Sequence, residues 1–149
     1  MNNTFVYLAL ALFAGAIIPV QTSMNTALGK QLQSPFYSSL AVFVVAALAM
    51  ILVIVARQQA LPSLSQAGAA PWWSWLGGIV GAVYIFLLVF LAPKLGIANV
   101  TGFVVAGQIL AAILIDHFGM LNFPVHSLTL PRLAGALLMV LGLYLIKKY

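Results

Sequence analysis

The chain has 149 residues, 64% of them hydrophobic and only 5% charged, with six Lys or Arg against one Asp or Glu for a net charge of +5. Soluble domains carry about 25% charged residues, so the composition excludes a water-soluble globule and points to an all-α integral membrane protein, a single transmembrane domain over residues 1–149. The cations also exclude a nucleic-acid surface: Lys30, Arg57, Lys94, Arg132, Lys147 and Lys148 stand one or two at a time between apolar runs, as membrane-flank anchors do, so the expected partner is the lipid bilayer.

A crossing helix needs about 20 residues, and five stretches qualify. The first lies near 4–29. It lacks the positive flank of a signal peptide, so a membrane helix of the mature chain is expected. Within it, Pro19 is followed by five polar side chains, Gln21, Thr22, Ser23, Asn25 and Thr26. Hydrocarbon offers such groups no water, so they must face protein or a wet cavity. Gln21 and Asn25 are four apart and share a helix face. Pro19 cannot donate to the carbonyl of Gly15, which predicts a bend there.

The turn Gln31 to Pro35 leads to a second helix near 36–56, ending at Arg57. Residues 57–71, with Pro62, Gly68 and Pro71, read as a surface loop. Trp72, Trp73 and Trp75 then mark a membrane border, and a third helix is expected near 72–92, stopping around Pro93, Lys94 and Gly96. Its Gly77 and Gly81 form a GxxxG pair suited to close helix approach. A fourth helix near 96–115 carries Asn99, Thr101, Gly102, Gly107 and Gln108 and ends at Asp116-His117. Residues 117–130 are too broken to span and suit an interfacial or re-entrant segment; a fifth helix follows near 131–147.

An odd number of spans puts the helix ends of the first and last on opposite sides. Arg57 and Arg132 fall on the side where the first helix begins, side A; Lys30, Lys94, Lys147 and Lys148 fall on side B. This weak bias fits either one topology with side B cytoplasmic or insertion in both directions. Two opposed copies would make an inverted-repeat assembly from separate chains.

Gln21, Asn25 and Gln108 are the expected substrate-binding residues, and Gly15, Pro19, Gly77, Gly81 and Gly107 the expected hinge or packing positions. Interhelical hydrogen bonding is the other use of such polar groups, but five in one segment exceed what it requires. Asp116, the one carboxylate, falls at a helix end, where an interfacial residue paired with Arg132 or with a helix terminus is expected rather than proton coupling. Asp116, His117 and His126 show no metal-ligand spacing, and no cysteine, GxSxG motif or carboxylate pair is present, so no metal, no cofactor and no enzymatic activity are expected.

An ordered set of residues resembles the YdcZ-type five-helix family of the bacterial drug/metabolite transporter superfamily. It comprises Gly15, Pro19, Gln21 and Asn25; Ser34-Pro35 and Phe43; Trp72-Trp73, Gly77-Gly78, Gly81, Pro93 and Gly96; Gly107-Gln108; Asp116-His117-Phe118-Gly119; and Arg132 with Gly135. Ala46-Ala47 departs from it, standing where a glycine is expected. The resemblance implies a multi-pass protein of the bacterial inner membrane that pairs as a ten-helix antiparallel homodimer, or with an oppositely oriented sister chain. It implies a half-transporter, and the polar residues themselves point to a small metabolite moved by alternating access through a polar cavity. A passive pore from the same dimer, or a non-transporting subunit of a larger complex, would share these features.

Overall fold

A computed structural model describes residues 3–148; residues 1, 2 and 149 of the expected domain lie outside the described part. Five helical spans are long and apolar enough to cross a membrane: Asn3–Gln31, Pro35–Ala56, Trp72–Leu95, Ile97–Phe118 and Leu130–Lys148. No strand occurs among the described residues.

Helix α1 (Asn3–Gln31) runs unbroken through Pro19. At about 1.5 Å per residue its 29 residues reach roughly 44 Å, more than the ~30 Å hydrocarbon thickness, so it crosses with length to spare. It closes at Gln33, whose φ of 52° turns the chain left-handed while Ser34 N–H bonds the carbonyl of Gly29 at 3.0 Å. Ser34 then caps α2 (Pro35–Ala56), its side chain accepting from Tyr37 N–H, with Pro35 preset for the first turn.

Residues 57–71 are not loop throughout. Ser63 and Gln66 form a reciprocal capping box, with Ser63 N–H donating to Gln66 Oε1 at 2.8 Å and Gln66 N–H to Ser63 Oγ at 3.2 Å, and this starts the short helix α3 (Leu64–Gly68). The tryptophan segment Trp72–Leu76 is a 3₁₀ turn held by Ser74 on the carbonyl of Pro71, and helix α4 (Gly77–Leu95) follows. Pro93 does not stop α4. Its fixed φ suits a helix and only one N–H is lost, so the break waits for Gly96, at φ +83°. Helix α5 (Ile97–Phe118) likewise runs past Asp116-His117 to Gly119, at φ +59°. Polar residues at a membrane border remain helical; the left-handed glycine ends the helix. Helix α6 (Leu130–Lys148) completes the chain.

The chain divides into two compact units, Met1–Lys94 and Leu95–Tyr149. In the first, α1 packs on α2 along small residues. Thr22, Thr26 and Gly29 are buried at helical spacing on α1, and Ser38 and Ser39 are buried on α2. Ser38 is wholly buried and its Oγ donates to the carbonyl of Asn25 at 2.5 Å. Thr22 Oγ1 and Ser39 Oγ bond back to the carbonyls of Ile18 and Pro35, each at 2.8 Å. Helix α4 contributes buried Leu88, Val89 and Ala92, and Phe86 stacks on Phe36 with centroids 4.6 Å apart. In the second unit α5 packs on α6 around Val100, Ala106 and Ala136, with Leu143 against Gly102.

Gly29 is the tightest point of the first unit: a Cβ there would stand 3.2 Å from Val89 Cγ1 and 3.5 Å from Ser38 Cβ. Gly29→Leu is expected to cost about 1–3 kcal/mol through overpacking, read as a lower melting temperature of the detergent-purified protein. Gly142→Leu, at a position with nothing within 4 Å, is expected to cost little.

Candidate functional site

The polar stretch of α1 distributes its side chains around the helix. Thr22 and Thr26 point into the unit, Ser23 Oγ folds onto the carbonyl of Pro19 at 2.8 Å, and Gln21 and Asn25 face a groove between α1 and α2. The groove measures about 500 Å³. Gln21 and Asn25 are its polar groups; Ile17, Val20, Met24 and Leu28 complete the α1 wall. The α2 wall is Ala41, Val42, Val45, Ala46 and Ala49, a smooth face of small and β-branched side chains.

Gln21 is exposed and Asn25 half-buried. Neither carboxamide is engaged by another side chain or by backbone among the described residues, although the Asn25 carbonyl takes the Ser38 hydroxyl. Each amide offers an acceptor oxygen and two donor hydrogens. A largely apolar surface with two convergent neutral amides suits a ligand that is mostly hydrocarbon or aromatic and carries one hydrogen-bonding group. The single acid lies elsewhere, so the groove has no charge with which to hold a cation.

The groove does not gather all the expected residues. Gln108 lies on an exposed part of α5, in the second unit, and is not part of the groove lining. Gly15, Gly77 and Gly107 have nothing within 4 Å of an added Cβ, and Gly81 only touches Phe43 at 4.0 Å, so no helix of the same unit approaches closely at the Gly77/Gly81 pair. The close approaches are made at Gly29 and Gly102 instead. The α2 wall of the groove went unread in the sequence. Its signal is the recurrence of small residues at positions 41, 46 and 49, including the alanine at the position where the family pattern has glycine.

In the second unit Asp116 pairs with Arg132, Oδ2 to Nη1 at 3.5 Å. The pair belongs to a clasp that ties the 123–129 segment to the end of α5. His126 N–H donates to the carbonyl of Asp116 at 2.8 Å, Leu128 N–H donates to His117 Nδ1 at 3.1 Å, and Arg132 Nη1 donates to the carbonyl of His126 at 3.2 Å. The segment therefore returns onto the helix end rather than spanning. Because both partners are more than a third exposed, screening limits the pair: Asp116→Asn is expected to lower stability by no more than about 1 kcal/mol, measured by thermal melting in detergent.

The family profile described as "Putative inner membrane exporter, YdcZ" matches residues 6–145 of the chain. A curated relative, "Inner membrane protein YdcZ" of Escherichia coli (strain K12), is 27% identical over 77 residues, 52% of this chain and 51% of that protein. The chain thus aligns with about half the length of that relative. No solved structure matches.

Proposed function

The chain belongs to the YdcZ family of the drug/metabolite transporter superfamily, a multi-pass protein of the inner membrane, and from that premise we propose that it is a half-size exporter that works as an antiparallel homodimer. The observation that carries the reading is the groove: two neutral carboxamides without protein partners, side by side on a membrane-spanning helix pair. Polar groups that are not spent on packing are costly in a bilayer unless they serve a ligand or a wet path.

In this reading each protomer presents its groove toward a cavity near the midplane, where Gln21 and Asn25 hold the hydrogen-bonding group of a small, mostly apolar, neutral or anionic metabolite. Gln108, on an exposed part of α5, is a further candidate for ligand contact. Pro19 leaves Gly15 without its intrahelical donor, and this softens α1 at the entrance to the site. Gly15, Gly77, Gly81 and Gly107 give the smooth faces along which helices of the two protomers slide. Their open surroundings within the chain support this use. The cations, two on side A against four on side B, are few and dispersed enough to permit insertion in both directions. Opposed protomers then form the inverted repeat on which alternating access depends.

Two measurements test the reading. Ser65 is exposed on α3 in a cysteine-free chain. Ser65→Cys, probed with an impermeant thiol label in intact cells, is expected to react to about half in one membrane population, as inverted pairing requires, and fully after permeabilisation; all-or-none labelling would remove the self-paired inverted dimer. Gln21→Ala and Asn25→Ala are each expected to reduce export by about three- to ten-fold, the weight of one neutral hydrogen bond or slightly more. Mass-spectrometric comparison of the medium of expressing cells reads this, with the melting temperature unchanged. Export that saturates and supports counterflow marks a carrier; linear flux marks a pore.

A further inference from the structure

A second, smaller cavity lies at the side-B end of the first unit, separate from the groove. The end of α1, the turn into α2 and the end of α4 enclose a cavity of about 180 Å³. Lys30 and Lys94 both line it, with Gln33 and Ser34 on the turn, Phe90 on α4 and Thr26 among its walls. We propose that this cavity binds an oxyanion, a phosphate or carboxylate group, between Lys30 and Lys94.

Three observations carry the assignment. The first is charge. Lys30 and Lys94 both line one small cavity, and the first unit contains no carboxylate; the one acidic side chain of the chain, Asp116, is in the second unit and paired with Arg132. The second is that the lysines are not consumed by the helix ends. The last carbonyls of α1 are closed by backbone donors, with Leu32 N–H on Leu28, Gln33 N–H on Lys30 and Ser34 N–H on Gly29. Lys94 Nζ instead sits over the ring of Phe90, 3.5 Å from its centroid, which holds the charge at the cavity.

The third is Thr26. It is 8% exposed, and its Oγ1 is buried without a hydrogen-bond partner. Its neighbours behave otherwise: Thr22, Ser23 and Ser39 bond back to their own helices, and Ser38 bonds across to α1. A buried hydroxyl left unbonded is unfavourable, and because Thr26 belongs to the cavity lining, an anionic oxygen that reached it would supply the missing acceptor. The remaining lining is apolar, from Val89 and Phe90, so the anion carries a short hydrocarbon part or belongs to a lipid. Lys30 and Lys94 close helices at a membrane border, which is the depth of lipid headgroups. A lipid phosphate and a free oxyanion share the chemistry, and the test separates them.

The full chain is purified in uncharged detergent and titrated with inorganic phosphate at constant ionic strength against chloride, following the melting temperature. In parallel it is placed in phosphatidylcholine nanodiscs with and without phosphatidylglycerol, and retained lipid is counted by native mass spectrometry. Saturable stabilisation by phosphate supports the site with a free oxyanion as ligand; selective retention of phosphatidylglycerol supports it with a lipid headgroup. In either arm Lys30→Gln and Lys94→Gln are each expected to weaken binding by about ten-fold or more, as loss of a charge-assisted contact does, and Lys30→Arg to restore most of it. Thr26→Val is expected to weaken binding by about three- to ten-fold while leaving the unliganded melting temperature unchanged or raised, because it removes an unbonded hydroxyl. A merely structural threonine would lose stability without losing binding. No preference for phosphate over chloride or for phosphatidylglycerol over phosphatidylcholine would overturn the site, as would binding untouched by the lysine and threonine changes. The outcome is independent of whether the groove transports.

Discussion

The hydrogen bond from Ser38 Oγ to the carbonyl of Asn25 is the contact on which the first unit turns. In hydrocarbon a hydroxyl must find an oxygen, and one on a neighbouring helix brings that helix with it. Around this bond the two helices present only small groups, Thr22, Thr26 and Gly29 against Ser38 and Ser39, so their backbones meet. The bond engages the backbone of Asn25 and leaves its carboxamide turned toward the groove. One residue therefore serves packing through its main chain while its side chain stays on the groove wall, and it cannot drift without loosening the helix pair.

Membrane packing also explains how little of the protein is interior. Among the described residues the buried apolar ones are Leu88, Val89, Ala92, Val100, Ala106 and Ala136, three of them alanine. Large side chains such as Phe5, Leu12, Leu52 and Leu138 point outward. Lipid tails solvate these as well as a core would, so shape at small residues, rather than burial of large ones, selects helix partners.

The five spans were legible because length and hydropathy decide them. Their ends were less so, and for one reason. Sequence reading stops a helix at proline or at polar residues, whereas here the stops are left-handed backbone turns at Gln33, Gly96 and Gly119. Pro93 and Asp116-His117 are carried inside helices for that reason. The capping box at Ser63 and Gln66 was readable but was overshadowed by the prolines and glycine around it. The site was legible in part. The four-residue spacing of Gln21 and Asn25 placed them together, as found. The same stretch looked uniformly functional, yet Thr22 and Ser23 spend their hydroxyls on their own helix, because only the register against α2 and α4 distinguishes inner from outer faces. Gln108 lies outside the groove lining, and nothing in its spacing along the chain distinguished it from Gln21 and Asn25. Of the two partners the sequence offered Asp116, Arg132 or a helix terminus, the arginine is the one it pairs with.

The odd number of spans has a consequence for gene history. A chain whose first helix starts on one face of the membrane and whose last ends on the other hands a tandem copy of itself directly to the opposite orientation. Two five-span segments joined in tandem need no added helix to yield an inverted repeat. An even-spanned ancestor would require an extra crossing to reach the same arrangement. A five-helix segment is thus a unit from which a ten-helix protein can be made by one duplication and fusion, after which each half is free to acquire its own charge bias.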